Sequence, residues 1–311
     1  PFTGVCTGGS LRTALIDADC LLYEVAFGSQ QKDADTGEIE AREWGFVENL
    51  LDRKIEVILD ETQSDDYKLY ITANEWLNST LNRRDRLFKE PQPYVPNFRI
   101  AVAESLRGRG YKENRVAAKP LHYQNLMIYM ANHPKAVVSR EGLEADDLMA
   151  MEQWSRRHDG DTLICSRDKD LKQVPGWTYT WEMAKQPGFG PYLVDDLGWL
   201  KKEVKRDKDG KVKETKVTGV GNKFLYYQMI AGDAVDNISG LKKKGPVAGY
   251  DTLHDATTVR ECYERTAKLF RNEFEGDWKT AMSKVASLVY LIREKDKAGK
   301  FRGWRPPPED E

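Results

Sequence analysis

The chain has 311 residues, enough for one large domain or two modest ones. At 40% hydrophobic and 32% charged, it has the balance of a globular enzyme and not of a disordered or fibrous protein. Its net charge of −2 conceals a division, because cations crowd at 99–119 and 201–216 while carboxylates gather in a few short motifs. That asymmetry fits a polyanion-binding protein that also holds metals. No apolar run approaches the length of a membrane span and no signal peptide is visible, so no membrane partner is expected. The four cysteines form no C-x-x-C pair. Cys20 and Cys165 lie in or beside apolar runs and read as buried thiols of a reducing cytoplasm.

In chain order, the first ten residues, PFTGVCTGGS, show no periodicity and read as a flexible arm or a foreign remnant. Residues 14–16 form a buried strand ending at Asp17, with Asp19 two residues on. Residues 38–60 read as one long amphipathic helix, since Trp44, Val47, Leu51, Ile55 and Ile58 recur at three- and four-residue steps. A second strand covers 68–72. The stretch 73–120, rich in Arg, Asn and Pro, carries no confident strand and is too long for an ordinary connection, which suggests a functional flap. A helix at 121–131, a strand at 136–139, a helix at 145–157 and strands at 162–165 and 177–181 follow. Strands alternating with helices imply an α/β fold with a mostly parallel twisted sheet flanked by helices. Asp209-Gly210 sits between alternating Lys and Val, so 200–219 reads as a β-hairpin. Residues 222–294 read as helical, and prolines end the tail.

Carboxylates recur where such a sheet binds ligands. Glu144, Asp146 and Asp147 open a helix, and Asp168 and Asp170 follow the strand at 162–165, at its carboxyl end. Acids converging there without cations repel one another and have raised pKa values. Oxygen-rich clusters suit Mg²⁺ or Mn²⁺. The last acidic pair, Asp233 and Asp236, is spaced to share one face of a helical turn. A turn bounded by Gly240 and Gly245, carrying Lys242, Lys243 and Lys244, then leads to a new helix. Such an element can hold a nucleic-acid phosphate on backbone N–H groups.

The ordered set I-D-A-D, E-A-D-D, S-x-D-K-D and G-D-x-x-D-N-x-x-G resembles the 5′ nuclease superfamily, most of all the bacteriophage 5′→3′ exonucleases and flap endonucleases. The resemblance runs from about residue 15 to 250. It implies a PIN-like nuclease core over 11–220 with a helical arch or clamp in 73–120, a helix–three-turn–helix lobe over 221–295, and an extended tail over 296–311. It also implies two divalent cations, one near Asp17, Glu144 and Asp146 and another near Asp168, Asp170 and Asp233, with Asp147 and Asp236 acting through waters. A K⁺ at the turn is a further candidate of the same kind. The implied reaction is phosphodiester hydrolysis leaving a 5′-phosphate and a 3′-hydroxyl. The implied substrates are DNA 5′ ends or flaps and an RNA–DNA primer hybrid, in phage replication or recombination alongside replication proteins, by a monomer in the host cytoplasm.

YKENR, from Tyr111 to Arg115, resembles the family's arch motif. Read as helical, it turns Lys112 and Arg115 toward the acidic cleft to neutralise phosphate, while Tyr111 stacks on a terminal base. Arg99, in Asn97-Phe98-Arg99, belongs to the same clamp by the same resemblance. The chain departs from the family after the second strand, where I-T-A-N-E puts Ala73 and Asn74 at the place of a further Asp. It departs again at the turn, where Lys243 and Lys244 replace a glycine and an apolar residue. Two rivals remain. A haloacid-dehalogenase-type phosphatase would use Asp17 and Asp19 but leaves E-A-D-D without a role. A non-catalytic DNA-binding protein would use the basic patches but not so many carboxylates, which are costly without metals.

Overall fold

The computed structural model describes residues 11–83, 93–107, 110–184 and 186–308; the arm expected at 1–10 lies outside them. β1 (Thr13–Asp17) is buried along its whole length, as a central strand covered on both faces must be. Its side chains alternate, so Ala14 and Ile16 enter one core and Leu15 the other. The strand runs straight into α1 (Ala18–Gly28), because the Asp17 carboxylate caps it by accepting from the Cys20 backbone N–H at 3.0 Å.

The helix expected at 38–60 begins later. Residues 30–41 instead form a small hairpin of β2 (Gln30–Lys32) and β3 (Ile39–Ala41), and α2 (Trp44–Thr62) follows. Its stripe of Val47, Leu51, Ile55 and Ile58 is buried as expected, in the core it shares with α1. β4 (Asp66–Ile71) pairs parallel with β1.

The region 73–120 is less irregular than its composition suggests, because it contains α3 (Glu75–Arg83) and α4 (Phe98–Arg107). Asn74 starts α3 by accepting from the Leu77 N–H at 2.7 Å. α4 packs on the C-terminal helices and buries Ala103 there. α5 (Tyr123–Ala131), β5 (Ala136–Val138), α6 (Ala145–Ser155) and β6 (Thr162–Cys165) agree closely with the expected elements.

A single 3₁₀ turn, Asp170–Gln173, separates β6 from β7 (Gly176–Thr180), and β8 (Phe189–Val194) then returns antiparallel. The six-stranded sheet has the order β5-β4-β1-β6-β7-β8, parallel except for the last strand. From β1 the chain steps outward one way to β4 and β5, then crosses to β6 on the other side. The crevice at the carboxyl ends of β1 and β6 is therefore the topological switch point.

The expected hairpin forms from β9 (Trp199–Arg206) and β10 (Val212–Val220). α7 (Gly221–Ala231) ends at Gly232, whose φ of +76° suits glycine. Asp233 and Asp236 are then not on a helix. Asp233 ends β11 (Gly232–Asp233) and Asp236 lies in the tight turn to β12 (Ile238–Ser239), because Gly232, at positive φ, breaks the helix before them. α8 (Pro246–Leu253), α9 (Val259–Phe274) and α10 (Trp278–Val289) complete a lobe with its own core around Phe224, Ile230, Phe270 and Met282. Among the described residues no helix is long and apolar enough to cross a membrane.

Candidate metal and phosphate site

At the switch point lies a cleft of about 1060 Å³ whose lining includes Asp17, Asp19, Glu144, Asp146, Asp168, Lys112 and Arg115. Four separate parts of the chain reach it, and each arrives by a local rule. Asp17 ends β1. Besides capping α1 it accepts from the Ser166 hydroxyl at 2.5 Å, so the residue after β6 orients the acid after β1. Glu144 is the N-cap of α6 in a reciprocal capping box with Asp147, which leaves Asp146 in the first helical turn pointing to the cleft. Asp168 accepts from the Asp170 N–H at 2.9 Å.

The charges are close enough to feel one another. Burial first, then the charges of Asp17 and Asp168, push the Asp146 carboxyl well above the usual range. Burial likewise raises Asp17 against the opposing hydrogen bonds from Cys20 and Ser166. The Asp146 carboxylate accepts no hydrogen bond among the described residues. A hard divalent cation would relieve this repulsion, and the all-oxygen donor set is the kind such cations take. The donors are not drawn together as a cage, however. Among the described residues no three Asp, Glu, His or Cys side chains stand close enough to hold an ion as they are.

The protein's own cations hold the remaining acids. Lys112 Nζ lies 2.6 Å from Glu144 and 3.8 Å from Asp236, and Arg115 Nη2 lies 2.5 Å from Asp236. Burial pulls the Lys112 ammonium down, but Glu144 and Asp236 outweigh it and raise it to about 12. Burial would raise Glu144, and Lys112 and Arg99 overcome it to hold that carboxyl low. Lys169 pairs with Asp233 and, at 3.1 Å, with Asp170. Gln228 donates to both acids, at 2.6 Å to Asp170 and 3.3 Å to Asp233. Burial and the neighbouring Asp168 raise Asp170 to about 7.

Lys112 and Arg115 face the acids as expected, but not from a helix. The segment is a turn in which Lys112 has φ +57° and the Arg115 N–H donates to the Lys112 carbonyl. Three expectations need correction. Asp147 is fully buried, with both oxygens engaged: Arg99 donates to them at 2.8 and 2.7 Å, and the Ile292 and Glu144 N–H groups donate as well. It is a structural acid and has no free lone pair facing the cleft. Arg99 is 1% exposed and also donates to the Tyr290 carbonyl, so it cannot offer charge to DNA. Tyr111 donates to Glu144 at 3.0 Å and Asp236 at 3.3 Å, and packs on the C-terminal core, so it props the acids and does not present a face for stacking.

At the turn, Gly240 and Gly245 do different things. A Cβ on Gly240 would sit 2.4 Å from the Ala231 carbonyl carbon, whereas one on Gly245 would meet nothing within 4 Å. Lys242, Lys243 and Lys244 stand exposed between them, with Lys243 at φ +56°.

Asp19 joins the cleft without an expected ligand role, and the D-A-D spacing is the sequence signal that marks it. Its carboxylate accepts from the Thr72 N–H at 3.2 and 3.1 Å, and burial followed by the Asp17 charge raises it to about 7. An acid from the first turn of α1 thus stands at the end of β4, where the chain itself has Ala73 and Asn74. Gln228 had no sequence signal at all, since nothing marks one residue of a buried helix.

No protein-family model matches the chain, and no curated protein does. Among solved structures the chain is similar to a T5 5′-exonuclease mutant at 13% identity, covering 90% of this chain and 93% of that one with a TM-score of 0.43. It is similar to the bacteriophage T5 flap endonuclease in a pseudo-enzyme-product complex with DNA and metal ions at 13% identity, 89% and 93% coverage and TM-score 0.46. It is also similar to the catalytic core of Rad2 in complex with DNA substrate at 10% identity, 92% and 76% coverage and TM-score 0.37.

Proposed function

We propose that this chain is a divalent-metal-dependent 5′ nuclease that hydrolyses DNA phosphodiester bonds at 5′ ends or flaps. One observation carries the reading: acids from three sequence-distant motifs line one cleft, and Lys112 and Arg115 at its mouth bridge them to Asp236 of a fourth. Asp17, Glu144 and Asp146 would hold one ion, and Asp168, Asp170 and Asp233 a second. Divalent cations, when bound, supply charge to the scissile phosphate's oxygens and an activated water.

The chain's own residues do the rest. Lys112 and Arg115 carry positive charge at the mouth of the acidic cleft. A phosphate entering there would exchange their carboxylate partners for its own oxygens, which frees Glu144 and Asp236. Arg115, half-exposed, offers the planar fork that suits a phosphate. Asp17 is kept in orientation by Ser166 and the Cys20 N–H. Glu144 is kept in position by the capping box and by Tyr111. Lysines 242–244, beside the backbone of the Gly240–Gly245 turn, would hold a more distant phosphate of the duplex. These contacts address phosphate and strand ends, so base-sequence preference is not expected, and an RNA–DNA hybrid meets the same requirements.

The test is a 5′-end-labelled double-flap DNA incubated with Mg²⁺, Mn²⁺ or EDTA, alongside an Asp168→Ala, Asp170→Ala double variant. Metal-dependent release of a 5′ product, lost in the variant, is expected, and product length separates end-chewing from flap cutting. Tight binding without cleavage under either metal would replace the nuclease with a DNA-binding protein.

A further inference from the structure

Against the 3₁₀ turn that begins at Asp170, outside the acidic cleft, β8 and β9 carry an aromatic cluster that the proposed chemistry does not use. Phe189, Tyr192 and Trp199 meet with ring centroids 5.4 to 6.3 Å apart. Trp199 donates its indole N–H to the Tyr192 hydroxyl at 3.0 Å, which fixes the ring of Tyr192, 36% exposed. Lys172, two residues after Asp170 on the 3₁₀ turn, holds its ammonium 4.5 Å from the centre of the Phe189 ring.

β10 packs against that turn and brings a second lysine. Lys216 lies opposite Glu203 across the hairpin, on the face it shares with Trp199. Neither Lys172 nor Lys216 makes an ion pair among the described residues, whereas Lys201, Lys202 and Lys205 of the same hairpin are all paired. Partly exposed rings beside lysines that make no direct ion pair suit one chemistry above others. An unpaired base has a free π-face to stack, and its flanking phosphates need cations.

We propose that this patch is a single-strand nucleic-acid subsite, in which an unpaired base stacks on Tyr192 and its phosphates lie on Lys172 and Lys216. The inference rests on the nuclease reading for its place in the reaction: a strand on this patch runs beside Asp168 and Asp170. Trp199 is a positioning residue in this arrangement, acting through the Tyr192 hydroxyl.

The experiment measures fluorescence anisotropy of a labelled oligothymidylate and of a blunt duplex, in EDTA. Tyr192→Ala is expected to weaken single-strand binding roughly 5- to 100-fold while leaving duplex binding within about twofold. Tyr192→Phe should retain most of the affinity. Lys216→Ala, at an exposed position that tolerates truncation, should lower the log–log salt slope for the single strand by about 0.7. Unchanged single-strand affinity in Tyr192→Ala and an unchanged slope in Lys216→Ala would overturn the subsite. Equal losses on duplex and single strand in Tyr192→Ala would overturn the stacking. Because binding is read without divalent cations, a chain that cuts nothing can still carry the subsite. One that cuts normally and binds normally after Tyr192→Ala loses the subsite and keeps the nuclease.

Discussion

Asp147 and its neighbour Asp146 are one residue apart and have opposite fates. Asp147 points into the core, where Arg99 meets it with two hydrogen bonds and ties α4 and α6 to the segment after α10 through the Tyr290 carbonyl and the Ile292 N–H. Removing one partner of a buried pair leaves the other charge unsolvated. Arg99→Ala or Asp147→Ala should therefore cost about 3–5 kcal/mol of stability, measured by urea unfolding. Arg99→Leu with Asp147→Leu together should cost less than either alone. Asp146→Ala should do the reverse. It relieves repulsion in the metal-free protein and so leaves stability unchanged or higher, while cleavage in Mg²⁺ falls by at least an order of magnitude. A stability loss in Asp146→Ala comparable to that of Asp147→Ala would refute this division of labour.

At the scale of elements, the α7–turn–α8 unit depends on two glycines at close quarters. A Cβ on Gly232 would approach the Gly240 nitrogen to 2.3 Å, and one on Gly240 would meet the backbone of Ala231. Backbone cannot yield as a flexible side chain can. Gly240→Ala should therefore destabilise the protein by about 1–3 kcal/mol and weaken duplex binding with it, whereas Gly245→Ala should change melting by less than about 0.5 kcal/mol. Lysines 242–244 belong to the same element and stand exposed, so their proposed contribution is one of charge alone. Replacing Lys243 and Lys244 by Ala should lower the log–log salt slope of duplex binding by about 2, with little change in stability. Both outcomes can be read from one set of binding isotherms at several salt concentrations plus a thermal melt.

Over the whole molecule, the acidic cleft couples stability to pH and, on the proposed reading, to metal. Asp19 and Asp170 rise from an ordinary 3.8 to about 7 on folding. The folded state therefore binds more protons than the unfolded one between those values. Their stabilising contribution is complete below about pH 4 and is lost as pH climbs through 7. Glu144 has the opposite sign: its pKa is held low, and its contribution is lost as pH falls. Metal-free protein should consequently lose melting temperature between pH 5 and pH 8. If the proposed ions bind, Mg²⁺ or Mn²⁺ should raise it more at pH 8 than at pH 5, because they would bind the ionised acids that repel. Asp19→Asn should flatten the metal-free profile. A melting temperature that rises from pH 5 to pH 8 without metal would show that the acids are not in conflict.

The parallel sheet, the positions of β1, β4, β5 and β6, and the four acidic motifs were legible from residues alone. Continuous apolar runs mark buried strands, and carboxylates at strand ends have few structural uses. The hairpin at 199–220 was legible too, from Asp209-Gly210 between alternating residues. What the chain could not disclose by itself depends on partners distant in sequence. Nothing local distinguishes Asp147 from Asp146; only the arrival of Arg99, 48 residues away, buries one and leaves the other at the cleft. Nothing local puts Asp19 at the end of β4, Gln228 between Asp170 and Asp233, or Lys216 beside Lys172. Periodicity and turn chemistry are properties of a segment and survive in the sequence. Which charge is paired, and which is left for a ligand, is decided by distances that exist only once the sheet has closed and the helical lobe has docked.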